Sequence, residues 1–352
     1  MPMTHPRRLL VAAALTPVLT ACSLGGGTST DDDDGSTVTL VTHDSWAVPD
    51  ELVAAFEDES GYTLEVVRSG DAGQLTNKLV LTAEDPLGAA VYGIDNTFAS
   101  RAVEAGVLAE HTPAALPGSA EQYRLESAIG DQLTPVDWSD VCVNVDTAWF
   151  AANDLAAPRT LDDLVKPAYR DLFVTPGAST SSPGFAFLLA TIGEYGEEGW
   201  QDYWQQLMDN GARVVSGWSD AYEVDFTGGG GDRPIVLSYS SSPPFTIPKG
   251  DKSPTTAALL DTCFRQVEYA GVLAGSDNPE GAAALVDFMV GREFQESLPE
   301  SMYVYPVDAG AALPPLWARW AEPAAEPATV PAEEISERRD EWLQQWSDVT
   351  AR

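Results

Sequence analysis

Alternating strand and helix patterns predict an α/β protein, folded as two lobes with a ligand cleft between them. Three observations carry that expectation. The chain has 352 residues, too many for one small core. Hydrophobic residues make up 44% and charged residues 21%, enough apolar material for a packed interior. Strand, helix and strand follow one another at lengths typical of βαβ units, near the amino end and again past residue 170, which implies a mainly parallel sheet.

The elements can be justified in order. Val38 to Val41 is a β-branched run, and Pro49 to Ser60 carries Leu52, Val53 and Phe56 at helical spacing with Gly61 as its stop. Tyr62 to Val67 reads as a strand, Gln74 to Thr82 as a helix with Leu75, Leu79 and Val80, and Ala89 to Ile94 as a strand. The second set starts with a strand at Leu172 to Thr175. Helices follow at Phe185 to Ile192 and Gly199 to Asn210, then strands at Arg213 to Val215 and Ile235 to Tyr239. Helices return at Gly281 to Val290 and Phe294 to Leu298, and a last one near Ala332 to Val349 carries Ile335, Trp342 and Trp346 on one stripe. Ligands of such sheets gather on loops at the carboxyl ends of strands. That rule nominates the loops after Val41, Val67, Ile94, Thr175 and Tyr239, which are rich in Asp, Ser, Gly or aromatics.

Charge and motifs remove several function classes. Lys and Arg total 19 against 54 Asp and Glu, a formal charge of −35, so a phosphate-backbone binder is excluded and no nucleic-acid partner is expected. A solvated acidic surface and a cationic ligand both remain open. His43 and His111 have no second His or Cys at metal-ligand spacing, and no metal site is expected. There is no GxSxG elbow and no P-loop: Gly228 to Gly231 run into Asp232 and Arg233. What remains is a vocabulary of binding. Pro176 to Gly184 places hydroxyls before a helix, which suits a phosphate or simply caps the helix. Gly217 to Tyr222 and Leu237 to Phe245 put aromatics on polar loops, able to stack on a flat cationic ring.

The first 21 residues read as a signal peptide: Arg7 and Arg8 precede an apolar run from Leu9 to Val18 that is too short to span a bilayer. Leu19-Thr20-Ala21-Cys22 resembles the lipobox of bacterial lipoproteins, which implies that Cys22 is lipidated and that the protein is extracytoplasmic, anchored to the cell membrane by lipid. Residues 22–36 then form a flexible linker, and Asp31 to Asp34 in it lack the spacing of a calcium loop. Loss of the signal peptide removes two arginines and no acid, taking the charge two units below −35. It leaves Cys142 and Cys263 as an even pair in an oxidising compartment, expected to be bridged.

Six segments come in one order: His43-Asp44-Ser45-Trp46, Gly93-Ile94-Asp95-Asn96, Ser181-Ser182-Pro183-Gly184, Gly217-Trp218-Ser219-Asp220-Ala221-Tyr222, Leu237-Ser238-Tyr239-Ser240-Ser241-Ser242-Pro243 and Tyr305-Pro306-Val307. Together they resemble the thiamine-binding proteins of bacterial ABC importers, from about Val38 to the carboxyl end. The resemblance implies a two-lobed type 2 periplasmic-binding-protein fold with a ligand cleft between the lobes, closing on its ligand. It implies lobe 1 over 37–141 and 264–352, lobe 2 over 142–263, and Cys142 and Cys263 near the two crossover strands. Thiamine or its phosphates would be the transported ligand, with no cofactor and no catalytic residue. The partners would be an ABC permease and its ATPase subunits, and the binding protein itself a monomer.

Carried over by position, Asp71 meets the pyrimidine end of the ligand, and Ser181 and Ser182 offer hydroxyls to a phosphate. Trp218, Tyr222 and Tyr239 supply the cleft aromatics of the second lobe. Three positions depart: His43 stands where the family has tyrosine, Phe245 replaces a stacking tyrosine, and Tyr303 a stacking tryptophan. Asp44, Asp95, Asp137, Asp140 and Glu268 are expected to add negative potential or to serve as caps and surface carboxylates. Two other classes compete. A thiaminase-like enzyme of the same fold would need Cys142 as a nucleophile activated by Glu268. A binding protein for another cationic solute or for ferric iron is the second; iron would want an adjacent tyrosine pair, and Tyr239 is followed by Ser240.

Overall fold

The computed structural model of the protein describes residues 36–126 and 130–351. The signal peptide, Cys22 and the acidic linker lie outside the described residues. Among the described residues no helix is long and apolar enough to cross a membrane.

The first lobe opens with β1 (Thr37–Thr42), α1 (Asp50–Ser60), β2 (Thr63–Arg68), α2 (Ala72–Leu81), β3 (Ala90–Asp95), α3 (Ala99–Glu104) and the short β4 (Leu108–Ala109). Gly61 stops α1 in the left-handed conformation that only glycine adopts without strain, and its N–H bonds to the Glu57 carbonyl. β1 pairs in parallel with β2 and β3. Side-chain alternation along β1 sends Val38 and Leu40 to a core with Phe56, Leu285 and Val286, and Val41 to a core with Leu75, Leu79, Ala99 and Ala102. Both faces of this sheet are therefore covered by helices.

The chain then crosses through β5 (Thr134–Asp146) into α4 (Thr147–Ala152), α5 (Leu161–Leu164), β6 (Phe173–Pro176), α6 (Ser182–Asp209), β7 (Arg213–Val215), β8 (Ile235–Tyr239) and β9 (Thr256–Ala258). It returns through β10 (Phe264–Leu273) to α7 (Pro279–Met289), α8 (Arg292–Ser301), β11 (Tyr305–Pro306), α9 (Pro315–Trp320) and α10 (Ala332–Thr350). One sheet runs β2-β1-β3-β10-β5-β8-β6-β7.

The sheet is mixed rather than mainly parallel. Its wings are parallel, but β10 and β5 pair antiparallel with each other and with β3 and β8, because they carry the chain out and back. The two helices expected at 185–192 and 199–210 form one element, α6, broken at Gly196 by φ 68 and ψ 175. The last helix departs from the expected grouping of 264–352 with lobe 1. Ile335, Trp342 and Trp346 enter the same core as Phe187, Trp200 and Trp204 of α6. Trp346 meets Trp204 edge to face at 5.6 Å. Cys142 in β5 and Cys263 just before β10 form a disulfide, their Cα atoms 4.2 Å apart.

Candidate functional site

The site is built where strand ends of both wings face each other. Asp71 caps α2, and its Oδ1 accepts from the Ala72 N–H at 2.7 Å. The same carboxylate reaches across the cleft: Oδ1 accepts from the Ser182 N–H at 3.3 Å and Oδ2 from the Trp218 N–H at 2.8 Å. Burial raises Asp71 above the usual carboxylate range, against the pull of the Trp218 N–H. Its neighbour Asp95, at the end of β3, also bonds across, accepting from the Ser182 hydroxyl. Asp95 further accepts from Thr97 N–H at 3.1 Å and Phe98 N–H at 3.1 Å, yet burial pushes it up to about 7.

Aromatic side chains wall the adjoining space. Trp218 is fixed by its indole N–H donating to the Ser238 hydroxyl at 2.9 Å. It stacks on Tyr222 at 5.0 Å and contacts Tyr239 at 6.0 Å and Tyr303 at 5.7 Å. Phe245 lies on Tyr303 with ring centroids 3.5 Å apart. Tyr303 has φ 65, an uncommon conformation for a bulky residue, and its carbonyl accepts from the Ser241 hydroxyl.

His43 closes the other side. Its Nδ1 meets the Ser45 hydroxyl at 2.9 Å, and its Nε2 sits 3.4 Å from Glu268 Oε1. Gly93 makes room for it: at φ 101, a Cβ there would lie 2.2 Å from the imidazole. Burial drives the His43 pKa down, but Glu268, with Asp71 and Asp44, outweighs it and the net direction is upward.

Two adjoining spaces result, with Ser45 and Trp218 lining both. One, about 80 Å³, is lined by Asp44, Asp71, Gln74 and Gly217. The other, about 50 Å³, is lined by His43, Tyr239, Glu268 and Tyr303. Pockets for small organic ligands span about 300–1,000 Å³, so neither space alone admits a two-ring ligand. A depression of about 440 Å³ opens on the Tyr222, Phe245 and Tyr303 side of the same aromatic cluster. Wider depressions of about 480 and 670 Å³ lie on the first lobe, around Glu84 and around Phe288, away from this aromatic cluster.

The structure thus brings His43, Asp71, Trp218, Tyr222, Tyr239, Phe245 and Tyr303 around one cleft. Ser181 and Ser182 are fully buried at its floor: the Ser181 hydroxyl caps Gly184 N–H of α6, and Ser182 is taken up by the two aspartates. Of the further acids, Asp140 is bound by Arg265 at 2.8 and 3.0 Å and belongs to the crossing strands. Glu268 and Asp137 are buried beside the cleft, inside β10 and β5. The signal for those two was a carboxylate in the middle of a strand whose neighbours are apolar. Cys142, the nucleophile of the enzyme alternative, is consumed in the disulfide and cannot attack. Among the described residues no group of three His, Cys, Asp or Glu side chains is placed to hold a metal.

Two lobes joined by crossing strands and a closable, aromatic-walled cleft define a solute-binding protein of the type 2 periplasmic fold. The chain belongs to the bacterial extracellular solute-binding protein family, which it matches over residues 51–325. It is 31% identical over 326 residues to the thiamine-binding periplasmic protein of Escherichia coli K12, covering 90% of this chain and 94% of that one. The thiamine-binding periplasmic protein of Brucella suis is 29% identical, with 90% and 92% covered. A solved periplasmic thiamin binding protein superposes with a TM-score of 0.77 at 28% identity, over 90% of this chain and 96% of that one. Iron-bound HitA from Pseudomonas aeruginosa, at TM-score 0.67 and 21% identity over 89% of this chain and 99% of that one, shares the fold alone. These kinships make the chain a binding protein and not an enzyme.

Proposed function

We propose that this protein captures thiamine outside the cytoplasm by lobe closure and hands it to an ABC permease driven by its ATPase subunits. The observation that carries the reading is the junction of Asp71 with the aromatic chamber around Trp218. Asp71 accepts from three backbone N–H groups and is also met by the Ser181 hydroxyl. Parting of the lobes withdraws the Ser182 and Trp218 N–H groups and leaves acceptor positions for an aminopyrimidine. Trp218, Tyr239, Phe245 and Tyr303 supply π-faces for a thiazolium, whose permanent charge such faces attract. The names of the relatives support the same ligand.

Thiamine is favoured over its phosphates. The donors at the start of α6 that would serve a phosphate are already held by Asp71 and Asp95, and a phosphate would bring further negative charge against both. In the mature protein Cys22 carries the lipid anchor, and a monomer suffices because one chain builds the whole cleft. Lobe 1 spans 37–141 and the returning segment from 264, lobe 2 spans 142–263, and α10 docks on lobe 2. Calorimetric titration with thiamine, its monophosphate and its diphosphate tests the ligand. Thiamine should bind tightest, and Asp71→Ala should weaken it at least tenfold. Absence of heat and of tryptophan-fluorescence change with all three would overturn the assignment.

A further inference from the structure

His43 and Glu268 form a charge arrangement that ring stacking does not call for. Both side chains are more than nine-tenths buried, in β10 and in the loop after β1. His43 Nε2 lies 3.4 Å from Glu268 Oε1, an ion pair when the imidazole is protonated. Both also line the same small space as Trp218, Tyr239 and Tyr303.

The groups around the imidazole fix the charge count. Behind Glu268 lies Asp137 of β5, whose Oδ2 accepts from the Tyr92 hydroxyl at 2.6 Å. Burial and the neighbouring Glu268 push Asp137 well above the usual carboxylate range, which favours its protonated form. Tyr92 of β3 and Tyr239 of β8 are driven upward by burial and stay neutral. Asp71 on α2 and Asp44 beside His43 both favour an imidazolium. Glu223 lines the chamber as well, and Asp95 lies beyond, pushed up to about 7. Glu268 is therefore the carboxylate in contact with the imidazole, with Asp71, Asp44 and Glu223 further out, and together they favour a protonated His43.

A fixed organic cation admitted to that chamber would set a second positive charge beside the imidazolium, both facing Glu268. Only the imidazolium can give up its charge. We propose that His43 and Glu268 form a proton-for-cation exchange site: the imidazolium neutralises Glu268 in the empty cleft and releases its proton to solvent when the fixed charge of an aromatic cation takes its place. This rests on thiamine being the ligand and adds a basis for selection. A neutral ring of the same shape leaves the imidazolium in place and earns no contact with Glu268. It also assigns a role to the position where this chain carries His43 in place of tyrosine.

The test is titration calorimetry of the full chain with thiamine at pH 7 in buffers of different ionisation enthalpy, then across pH 6 to 8. The observed enthalpy should vary linearly with the buffer's ionisation enthalpy, with the sign of proton release and a slope of at most one proton. The Kd should tighten with rising pH, by up to about tenfold per unit. His43→Gln should bind thiamine with no buffer dependence and a flat pH profile. Thiamine binding with buffer-independent enthalpy overturns the exchange site and leaves the ligand reading intact, as does undiminished proton release in His43→Gln. No thiamine binding at any pH overturns both. The wild-type buffer series decides the matter even where the variant fails to fold.

Discussion

At the scale of single residues, the carboxylates of the cleft serve closure as much as recognition. Asp71 and Asp95 belong to the first lobe, yet Ser182 and Trp218, which they bind, belong to the second. Asp95 titrates near 7 in the folded protein against an ordinary 3.8, so folding favours its protonated form. The stability this contributes is fully present below the unfolded value and is lost as pH rises through about 7. His43, also raised, acts in the same direction. For a buried group the loss is on the order of 2–4 kcal/mol. The thermal midpoint of the ligand-free protein should therefore fall between pH 5 and pH 8. Asp95→Asn, which mimics the protonated acid and keeps an acceptor for Thr97 and Phe98, should flatten that slope without abolishing it. A midpoint with an unchanged slope in Asp95→Asn would remove Asp95 from the account. None of this was readable from residue type: Asp71 meets partners 111 and 147 positions away, and no local pattern encodes such a pairing.

At the scale of elements, legibility followed periodicity. The stripe of Ile335, Trp342 and Trp346 repeats at helical spacing, and it forms α10 with that stripe buried. The crossing strands β5 and β10 were missed as patterns. β5 buries Asp137, Ser139, Asp140 and Asn144 among its valines, and β10 buries Gln266 and Glu268. Strand signals read polar positions as solvent-facing, whereas here both faces are covered: Glu268 lines the cleft, Asp140 pairs with Arg265, and Asn144 donates to backbone carbonyls. The helix break at Gly196 was legible as two helices but not as one kinked element. The partner of α10 was also hidden, since a stripe reveals that a helix is buried and not against what. Trp342 measures that contact. It is fully buried, and its indole N–H donates to Glu197 at 3.0 Å. Trp342→Ala should lower the unfolding free energy by about 3–5 kcal/mol in denaturant titration. Thiamine affinity should change less than twofold, because α10 lines neither space of the cleft. A large loss of affinity at intact stability would show that α10 shapes the cleft.

At the scale of the whole molecule, closure and stability meet at the crossing strands. The Cys142–Cys263 disulfide joins β5 to the start of β10, its cysteines 121 positions apart, so it shortens the unfolded chain strongly. The chain-entropy treatment gives about 4–5 kcal/mol for such a loop, and measured bridges commonly give about 2–4. The bridge binds two neighbouring strands to each other, not one lobe to the other across the cleft. Residues that meet across the opening, such as Asp71 and Trp218, remain free to separate while the bridge stays intact. The bridge should therefore support the fold strongly and the ligand weakly. Cys142→Ser combined with Cys263→Ser should lower the unfolding free energy by about 2–4 kcal/mol, and thiamine affinity should shift less than fivefold. If the reduced-stability variant stays folded and loses thiamine binding altogether, the disulfide sets the closed geometry rather than merely anchoring the strands about which the lobes turn.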